Sequence, residues 1–241
     1  MPDVASIDDL MKERSVVRPA GMAPLNLDFV FHNKVPKSGS STMKHILQAL
    51  SRRNSFELDH VRIIKFDSRD NDELVTHIKK FRKYHPDYPL VLLKHHTYVN
   101  FTKLNYIQPT YINVVRHPVG QFASFYYFKR YGWGFTGDKS DQDRRAWHGD
   151  EADRERSVDE CVANKEKECM WAVGIISKYF CGTEHEFCNP HLQFKVEKGP
   201  DGENVRSTDW AKVSKATEQS KKNIIKNYYM IGVLGTFFRR D

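Results

Sequence analysis

The sequence predicts an α/β fold in which a central parallel sheet is flanked by helices. Three apolar runs, at residues 27–31, 90–93 and 110–115, have the length and composition of buried strands. Between and after them, apolar residues recur at the three- and four-residue spacing of helices. Strands that alternate with helices in this way form βαβ units, whose strands lie parallel in one sheet.

A tight turn follows the first predicted strand. Pro36 and Gly39 interrupt the periodicity, and the three hydroxyl residues at positions 40–42 lie where a helix is usually capped. We therefore expect a strand, a tight turn and the N-terminus of a helix. The apolar positions of this helix are Met43, Ile46, Leu47 and Leu50.

This turn suits a phosphate-like anion. Unpaired N–H groups and the positive dipole end of the helix point at one place, where Lys37 adds a full charge. The Walker A pattern is absent because Lys37 precedes Gly39, which disfavours a magnesium-dependent NTPase. From the turn alone, a surface turn with incidental serines remains an alternative. The candidate anion-binding residues are Lys37, Ser38, Gly39, Ser40, Ser41 and Thr42.

The other two predicted strands also deliver polar side chains to their C-terminal ends, the edge at which open α/β sheets bind ligands. The second strand is followed by His95 and His96, although histidines in such places are commonly structural. The third is followed by Arg116, and Ser124 lies about two turns into the next predicted helix. Arg116 and Ser124 together can hold one anion. Two such turns in one chain match a ligand with phosphates at both ends.

Weaker patterns cover the rest of the chain. Residues 62–66 predict a short strand, and residues 212–229 and 230–234 predict a final helix and strand. Residues 136–157 are polar and of mixed charge, which predicts a long exposed loop. Residues 1–25 predict a poorly ordered lead-in. A helix capped by Asn71 or Asp72 carries Leu74, Ile78 and Phe81 on one face.

Size and charge narrow the function. The 241 residues are 39% hydrophobic and 12% aromatic, which predicts one globular domain with a substantial core. The formal net charge of +7 favours an anionic partner. No segment approaches the ~18 apolar residues of a membrane span. The N-terminal residues lack the pattern of a signal peptide.

The four cysteines lie in two close pairs. Zinc prefers tighter pairs, and the redox C-x-x-C motif is absent. Two local disulfides, Cys161 with Cys169 and Cys181 with Cys188, are therefore predicted, and they indicate an oxidising compartment. In a chain that enters the secretory route, the sequon at Asn100 is a candidate glycosylation site.

Four ordered motifs resemble the sulfotransferases that modify uronic acids of glycosaminoglycans at the 2-O position. The turn at residues 35–42 is similar to the family's 5′-phosphosulfate loop, and the stretches 111–118 and 124–128 are similar to its 3′-phosphate site. The stretch 95–101 and the four-cysteine segment also agree. The resemblance implies a P-loop-like sulfotransferase fold.

The resemblance also implies a cosubstrate, the sulfuryl donor 3′-phosphoadenosine 5′-phosphosulfate. Lys37 would contact the bridging and 5′-phosphate oxygens and take part in catalysis, so no metal is required. Arg116 and Ser124 would hold the 3′-phosphate, and His95 would be the catalytic base. The candidate contacts to the acceptor are Lys34, His96 and Arg130.

Two departures from the family have different consequences. Leu93 stands where the heparan enzymes carry a histidine, but the uronyl branch also lacks this histidine, so its loss does not argue against activity. Residues 133–135 lack an arginine that the family has, and this departure concerns the identity of the acceptor. The anionic glycosaminoglycan acceptor is therefore left open between heparan sulfate and chondroitin or dermatan sulfate.

The resemblance also implies expectations for the partners, the cellular location and the domain bounds of this chain. No nucleic-acid partner is implied, and a homo-oligomer is left open. Related enzymes are type II membrane proteins of the Golgi lumen, and their anchor is not present in this sequence. We expect residues 26–241 to form the sulfotransferase domain, shortened at its C-terminus relative to related enzymes.

The sequence thus predicts transfer of a sulfuryl group to the 2-O position of a uronic acid. Two other functions remain open. A nucleotide kinase or NTPase would depend on magnesium, and an inactive glycan-binding relative would keep the fold and the basic groove without holding the donor.

Overall fold

The structure is a computed structural model that describes residues 22–60, 71–132, 151–164, 166, 169, 175–189, 194–198, 200, 202 and 204–235. Its main sheet has five strands, which are β1 (Phe29–Asn33), β2 (Glu57–Asp59), β3 (Leu90–Lys94), β4 (Thr110–Arg116) and β7 (Tyr228–Leu234). A separate antiparallel pair consists of β5 (Phe194–Lys198) and β6 (Asn204–Thr208). The helices are α1 (Ser40–Asn54), α2 (Asn71–Tyr84), α3 (Pro118–Tyr131), α4 (Glu151–Glu155), α5 (Val158–Ala163), α6 (Ile175–Cys181) and α7 (Trp210–Asn227).

The main sheet confirms the predicted α/β fold. Its strand order is β2-β3-β1-β4-β7, and every neighbouring pair is parallel. From the central strand β1 the chain first builds one half of the sheet, with β2 and β3, and then the other half, with β4 and β7. In parallel sheets, such a reversal opens a crevice at the carboxyl ends of the strands, where ligands bind.

The side chains of the strands alternate between two apolar layers, as strand geometry requires. One layer contains Phe29, Phe31, Leu90 and Leu92 and packs on α2 and α6 through Leu74, Ile78, Tyr179 and Phe180. The other layer contains Val91 and Leu93, which pack with Leu47 of α1. Helices therefore cover both faces of the sheet, which explains why β1 and β3 have nearly continuous apolar sequences.

Most of the predicted elements agree with the structure within a few residues. The three apolar runs correspond to β1, β3 and β4, and the predicted final helix and strand correspond to α7 and β7. Helix α2 buries Leu74 and Ile78 as predicted. The strand predicted at residues 62–66 lies outside the described residues.

Two predictions about α1 need correction. The N-cap of α1 is Gly39, so the hydroxyl residues 40–42 form its first turn instead of its cap. Of the predicted apolar face of α1, Leu47 is buried while Ile46 and Leu50 are exposed.

The predicted loop at residues 136–157 also needs correction, because it contains the short helix α4. The part of this loop up to residue 150 lies outside the described residues.

Part of the predicted lead-in makes a defined contact. Residues 1–21 lie outside the described residues, but the backbone N–H of Ala23 donates to the carbonyl of Lys226 at 2.7 Å. Residues 22–25 therefore lie against the end of α7.

Both predicted disulfides are confirmed. Cys161 is bonded to Cys169 with a Cα–Cα distance of 6.0 Å, and Cys181 is bonded to Cys188 with a Cα–Cα distance of 5.5 Å. The second bridge packs on Ala216 of α7. Within the described residues, no helix is both long enough and apolar enough to cross a membrane.

His32 makes the stability of the fold depend on pH. Its ring is buried in β1, where Nδ1 lies 3.2 Å from the carbonyl oxygen of Ile112. Burial, which disfavours the charged ring, lowers its pKa from 6.5 to about 4. Between these values the unfolded chain binds more protons than the folded chain, so the free energy of unfolding decreases as pH falls from about 6.5 to 4.

We expect His32 to contribute about 3 kcal/mol to this pH dependence. Urea unfolding of the wild type and of His32→Gln at pH 7, 5.5 and 4.5 measures the contribution, and the variant should show the shallower slope. His45→Gln, which changes an exposed histidine of α1, is the control. Equal slopes for all three proteins would contradict the prediction.

Candidate active site

The candidate site lies at the carboxyl edge of β3, β1 and β4, which are neighbours in the sheet. The loop of residues 34–39 connects β1 to α1 there. It is held at its start by a hydrogen bond from the N–H of Lys34 to the carbonyl of Lys94, at 2.7 Å. Lys37 and Gly39 both have left-handed backbone angles, with φ of 61° and 80°. Such angles are easy for a glycine but unfavourable for a lysine, so the backbone of this loop is strained at Lys37.

The end of this loop has the properties of an anion site. Gly39 offers no side-chain cap to α1, and the first turn of the helix contains no acidic residue. The N–H groups at the start of α1 therefore keep their affinity for an anion. The hydroxyl of Ser38 is 2% exposed and has no hydrogen-bond partner among the described residues. A buried donor of this kind fits a bound phosphate or sulfate oxygen.

A second helix N-terminus of the same kind follows β4. His117 is the N-cap of α3 but makes no side-chain capping bond, Pro118 opens the helix, and its first turn has no acidic residue. The Arg116 side chain lies over Gly120, with Nε 3.3 Å from the place where a Cβ on that glycine would be. The lack of a side chain at residue 120 thus makes room for the guanidinium group at the helix N-terminus.

Helix α3 joins the two turns through one of its faces. Gln121 Nε2 donates to the carbonyl of Pro36 at 3.0 Å, and the Phe128 ring lies 4.0 Å from Nζ of Lys37. Ser124 lies between these two positions at helical spacing, so it is on the face that meets the loop.

The last strand brings the turns together as well. Leu234 of β7 pairs with Arg116 in register, and a Cβ on Gly39 would lie 3.4 Å from its side chain. The structure therefore brings together the two predicted anion-binding turns, one of which contains Lys37 and the other Arg116.

His95 and His96 have different surroundings. His95 is half-buried, and its Nδ1 donates to the carbonyl of Lys34 at 3.0 Å. Because a carbonyl only accepts, this bond selects the neutral tautomer whose lone pair is on Nε2. The ring of His96 lies 6.4 Å from that of Phe31 in the core. The two side chains therefore face different environments, as the strand geometry predicts.

Lys34 lies beside His95 and is 8% exposed. Burial, with a smaller contribution from the nearby charge of Lys44, lowers the pKa of its amine from 10.5 to about 8. Lys34 is therefore mostly charged at pH 7 and loses this charge just above the physiological range. Together with Lys37 and Arg116 it makes this edge of the sheet basic.

Two of the predicted acceptor contacts, His96 and Arg130, are deeply buried. His96 is 2% exposed and its Nδ1 bonds to the carbonyl of Thr97 at 2.9 Å. Arg130 is also 2% exposed, with its guanidinium 3.5 Å from the centre of the Tyr126 ring and its Nε bonded to the carbonyl of Asp153. All three predicted contacts are buried, and Lys34 is the most exposed of them, so Lys34 is the one that we carry forward as a proposed acceptor contact.

The remaining predicted features stay predictions. Asn100 is partly exposed at the start of a short 3-10 helix, Phe101–Leu104, and its side-chain oxygen accepts from the hydroxyl of Thr102 at 2.6 Å. Among the described residues, no group of three or more His, Cys, Asp or Glu side chains is placed to hold a metal ion.

Three residues that position the site were not predicted. Asn33 ends β1 with a fully buried amide, while Gln121 and Phe128 hold the 34–39 loop from α3. A polar residue at the end of an apolar strand is a sequence signal for the first. The spacing of residues 121, 124 and 128 on one helix face is a signal for the other two.

Comparison with known proteins identifies the family of the chain. The sequence matches the Sulfotransferase family over residues 27–227, and the chain belongs to this family.

Among curated relatives, it is 28% identical over 209 residues to uronyl 2-sulfotransferase of Homo sapiens, covering 85% of this chain and 44% of the relative. It is 26% identical over 210 residues to heparin sulfate O-sulfotransferase of Drosophila melanogaster, covering 85% and 51%. It is 27% identical over 213 residues to heparan sulfate 2-O-sulfotransferase 1 of Homo sapiens, covering 85% and 50%. The chain spans about half the length of these relatives.

We predict that Arg116→Ala weakens binding of the nucleotide 3′-phosphoadenosine 5′-phosphate about 10- to 100-fold, because a charged partner is removed from a phosphate. Isothermal titration calorimetry measures this change. Arg53→Ala removes the same charge from an exposed position near the far end of α1 and is the matched control. Equal affinities for the two variants would exclude Arg116 from the phosphate site.

Proposed function

We propose that this chain transfers a sulfuryl group from 3′-phosphoadenosine 5′-phosphosulfate to the 2-O position of a uronic acid in a glycosaminoglycan. One observation carries the proposal. The N-termini of α1 and α3 both lack a side-chain cap and acidic residues, and Gln121 of α3 bonds to the loop that leads into α1 and that also contacts His95. A donor with phosphates at both ends matches two anion sites. The names of the relatives support the uronic acid as the acceptor sugar.

The donor occupies both anion sites in this proposal. The N–H groups of the α1 first turn, with Ser38, Ser40, Ser41 and Thr42, hold the 5′-phosphosulfate, and Arg116 with Ser124 holds the 3′-phosphate. Lys37 lies in the 34–39 loop, where its ammonium neutralises the 5′-phosphate oxygen as the bond from sulfur to that oxygen breaks. Positioning and charge neutralisation then provide most of the catalysis, as in phosphoryl transfer.

His95 acts on the acceptor. As the new bond forms between the sugar oxygen and sulfur, the hydroxyl proton passes to Nε2 of His95, and 3′-phosphoadenosine 5′-phosphate leaves. The bond from Nδ1 to the Lys34 carbonyl places the proton-accepting lone pair on Nε2 before the reaction begins.

The environment of the reaction also belongs to the proposal. Two disulfides fit an oxidising secretory lumen, and we place the activity in the Golgi lumen with N-glycosylation at Asn100. The acceptor is an anionic glycosaminoglycan that meets the basic edge of the sheet.

Two measurements test the proposal. The wild-type chain should bind 3′-phosphoadenosine 5′-phosphate without added magnesium, and it should transfer labelled sulfate to desulfated heparan or chondroitin chains at the 2-O position of the uronic acid. Binding of a nucleotide triphosphate only with magnesium would indicate an NTPase. Binding of the glycan without binding of the nucleotide would indicate an inactive relative.

His95→Ala should lower turnover by at least about 100-fold and leave the affinity for 3′-phosphoadenosine 5′-phosphate nearly unchanged, because the base acts on the acceptor hydroxyl. His96→Ala, the matched variant of the next residue, should lower turnover much less. Initial rates of sulfate transfer and calorimetry on each variant measure both quantities. The assigned base is wrong if His96→Ala is the inactive variant.

The affinity for an acidic polysaccharide should fall as pH rises from 7 to 9, because Lys34 loses its charge around its lowered pKa of about 8. Lys34→Arg keeps its charge over this range, so its affinity should change less. Titration with a heparin oligosaccharide at several pH values measures the difference. Parallel curves for the two proteins would remove Lys34 from the acceptor site.

A further inference from the structure

The contact between Lys37 and Phe128 is a cation–π pair inside the candidate site. The ammonium nitrogen lies 4.0 Å from the ring centre, well within the ~6 Å over which such pairs attract. Both side chains are partly buried, which reduces competition from water. The two residues come from different elements, the 34–39 loop and the third turn of α3.

This contact acts on a long side chain of the proposed donor site. A lysine side chain has four rotatable bonds and loses conformational entropy when it is fixed. An ammonium has three N–H donors, so a ring that contacts one side of it leaves donors for an anion. Contact with the ring therefore orders the ammonium while keeping it able to bind a phosphate.

Helix α3 is anchored so that the ring has a fixed position. Gln121, two turns before Phe128 on the same face, donates to the carbonyl of Pro36 at 3.0 Å. The residue after Pro36 is Lys37, whose φ of 61° is fixed by the fold of the loop. The backbone of Lys37 is thus held through its neighbour, and its side chain is held at the other end by Phe128.

We propose that Phe128 is a positioning residue, which orders the ammonium of Lys37 for the 5′-phosphate of the donor. The inference rests on the proposed function, because it assigns the donor to this loop. The ring does not touch the reacting atoms. It raises donor affinity by reducing the conformational freedom that Lys37 loses on binding.

Stepwise fluorination of the Phe128 ring tests this proposal. Fluorine withdraws charge from the ring face and weakens a cation–π pair while changing ring shape little. Site-specific incorporation of mono-, di- and trifluorophenylalanine at residue 128 should weaken the binding of 3′-phosphoadenosine 5′-phosphate in steps. We expect a total of about 2- to 5-fold, which corresponds to the lower part of the usual range of cation–π strengths. Calorimetry at constant ionic strength measures each affinity.

The same helix provides a matched control. Phe122 lies on this helix outside the residues assigned to the donor, and its ring packs on Tyr126 with the ring centres 6.3 Å apart. The same fluorinated residues at position 122 change a ring of the same helix and should leave the affinity unchanged. Phe128→Tyr keeps an electron-rich ring and should retain affinity, whereas Phe128→Leu should weaken it like the trifluorinated ring.

The outcomes separate this inference from the proposed function. If the wild-type chain does not bind the nucleotide, the proposed function fails. If it binds and the affinity is unchanged across the Phe128 series, Phe128 only packs, and the inference is overturned. An affinity that rises with fluorination would mean that the ring holds Lys37 away from the donor, which also overturns it. A loss that is graded at position 128 and absent at position 122 supports the inference.

Discussion

A buried amide at the end of β1 is the interaction on which the geometry of the site depends. Asn33 is fully buried, and its side-chain oxygen accepts hydrogen bonds from Asn113 at 2.8 Å and from the hydroxyl of Tyr228 at 3.0 Å. Its amide nitrogen donates to the carbonyl of Tyr179 at 3.0 Å. One side chain therefore fastens β1 to β4, β7 and α6. A buried polar network that is fully bonded in this way fixes one arrangement, because any shift leaves a group unsatisfied.

The position of this amide matters because the 34–39 loop begins at the next residue. The ends of β1 and β4 are fixed relative to each other, so the turns that follow them are also fixed. The bond from Gln121 to Pro36 then transmits the position of α3 to the loop. The two candidate anion sites are consequently held at a constant separation, as a ligand with phosphates at both ends would require.

The strands, and thus the edge where the site lies, follow directly from the sequence. Buried parallel strands need continuous apolar runs, and each predicted run is bounded by polar residues, so β1, β3 and β4 are predicted within a few residues. The short strand β2 has only three residues, too few for a pattern. The extent of the buried face of α1 is not predictable either, since periodicity identifies a face but not how much of it a neighbour covers.

Some of the predicted site residues also follow directly from the sequence, whereas the surroundings of others depend on the assembled fold. Residues such as Lys37 and Arg116 follow strands directly, so topology alone places them at one edge. Arg130 lies near the end of α3, where its exposure depends on α4 and the chain around Asp153, and the sequence gives no sign that it is covered. The contacts of Lys34 with His95 and of Lys37 with Phe128 join residues that are far apart in the chain. Only the assembled fold determines such contacts.

The electrostatics of the candidate site favour an anion. Lys34 and Lys37 lie in one short loop, and neither α1 nor α3 has an acidic residue in its first turn to balance them. The lowered pKa of Lys34 shows that its burial disfavours charge. The ring of Phe128 lies 4.0 Å from the ammonium of Lys37 and compensates part of its charge. A bound phosphate would favour the charged form of Lys34 and raise its pKa, so that anion binding and protonation of this lysine support each other.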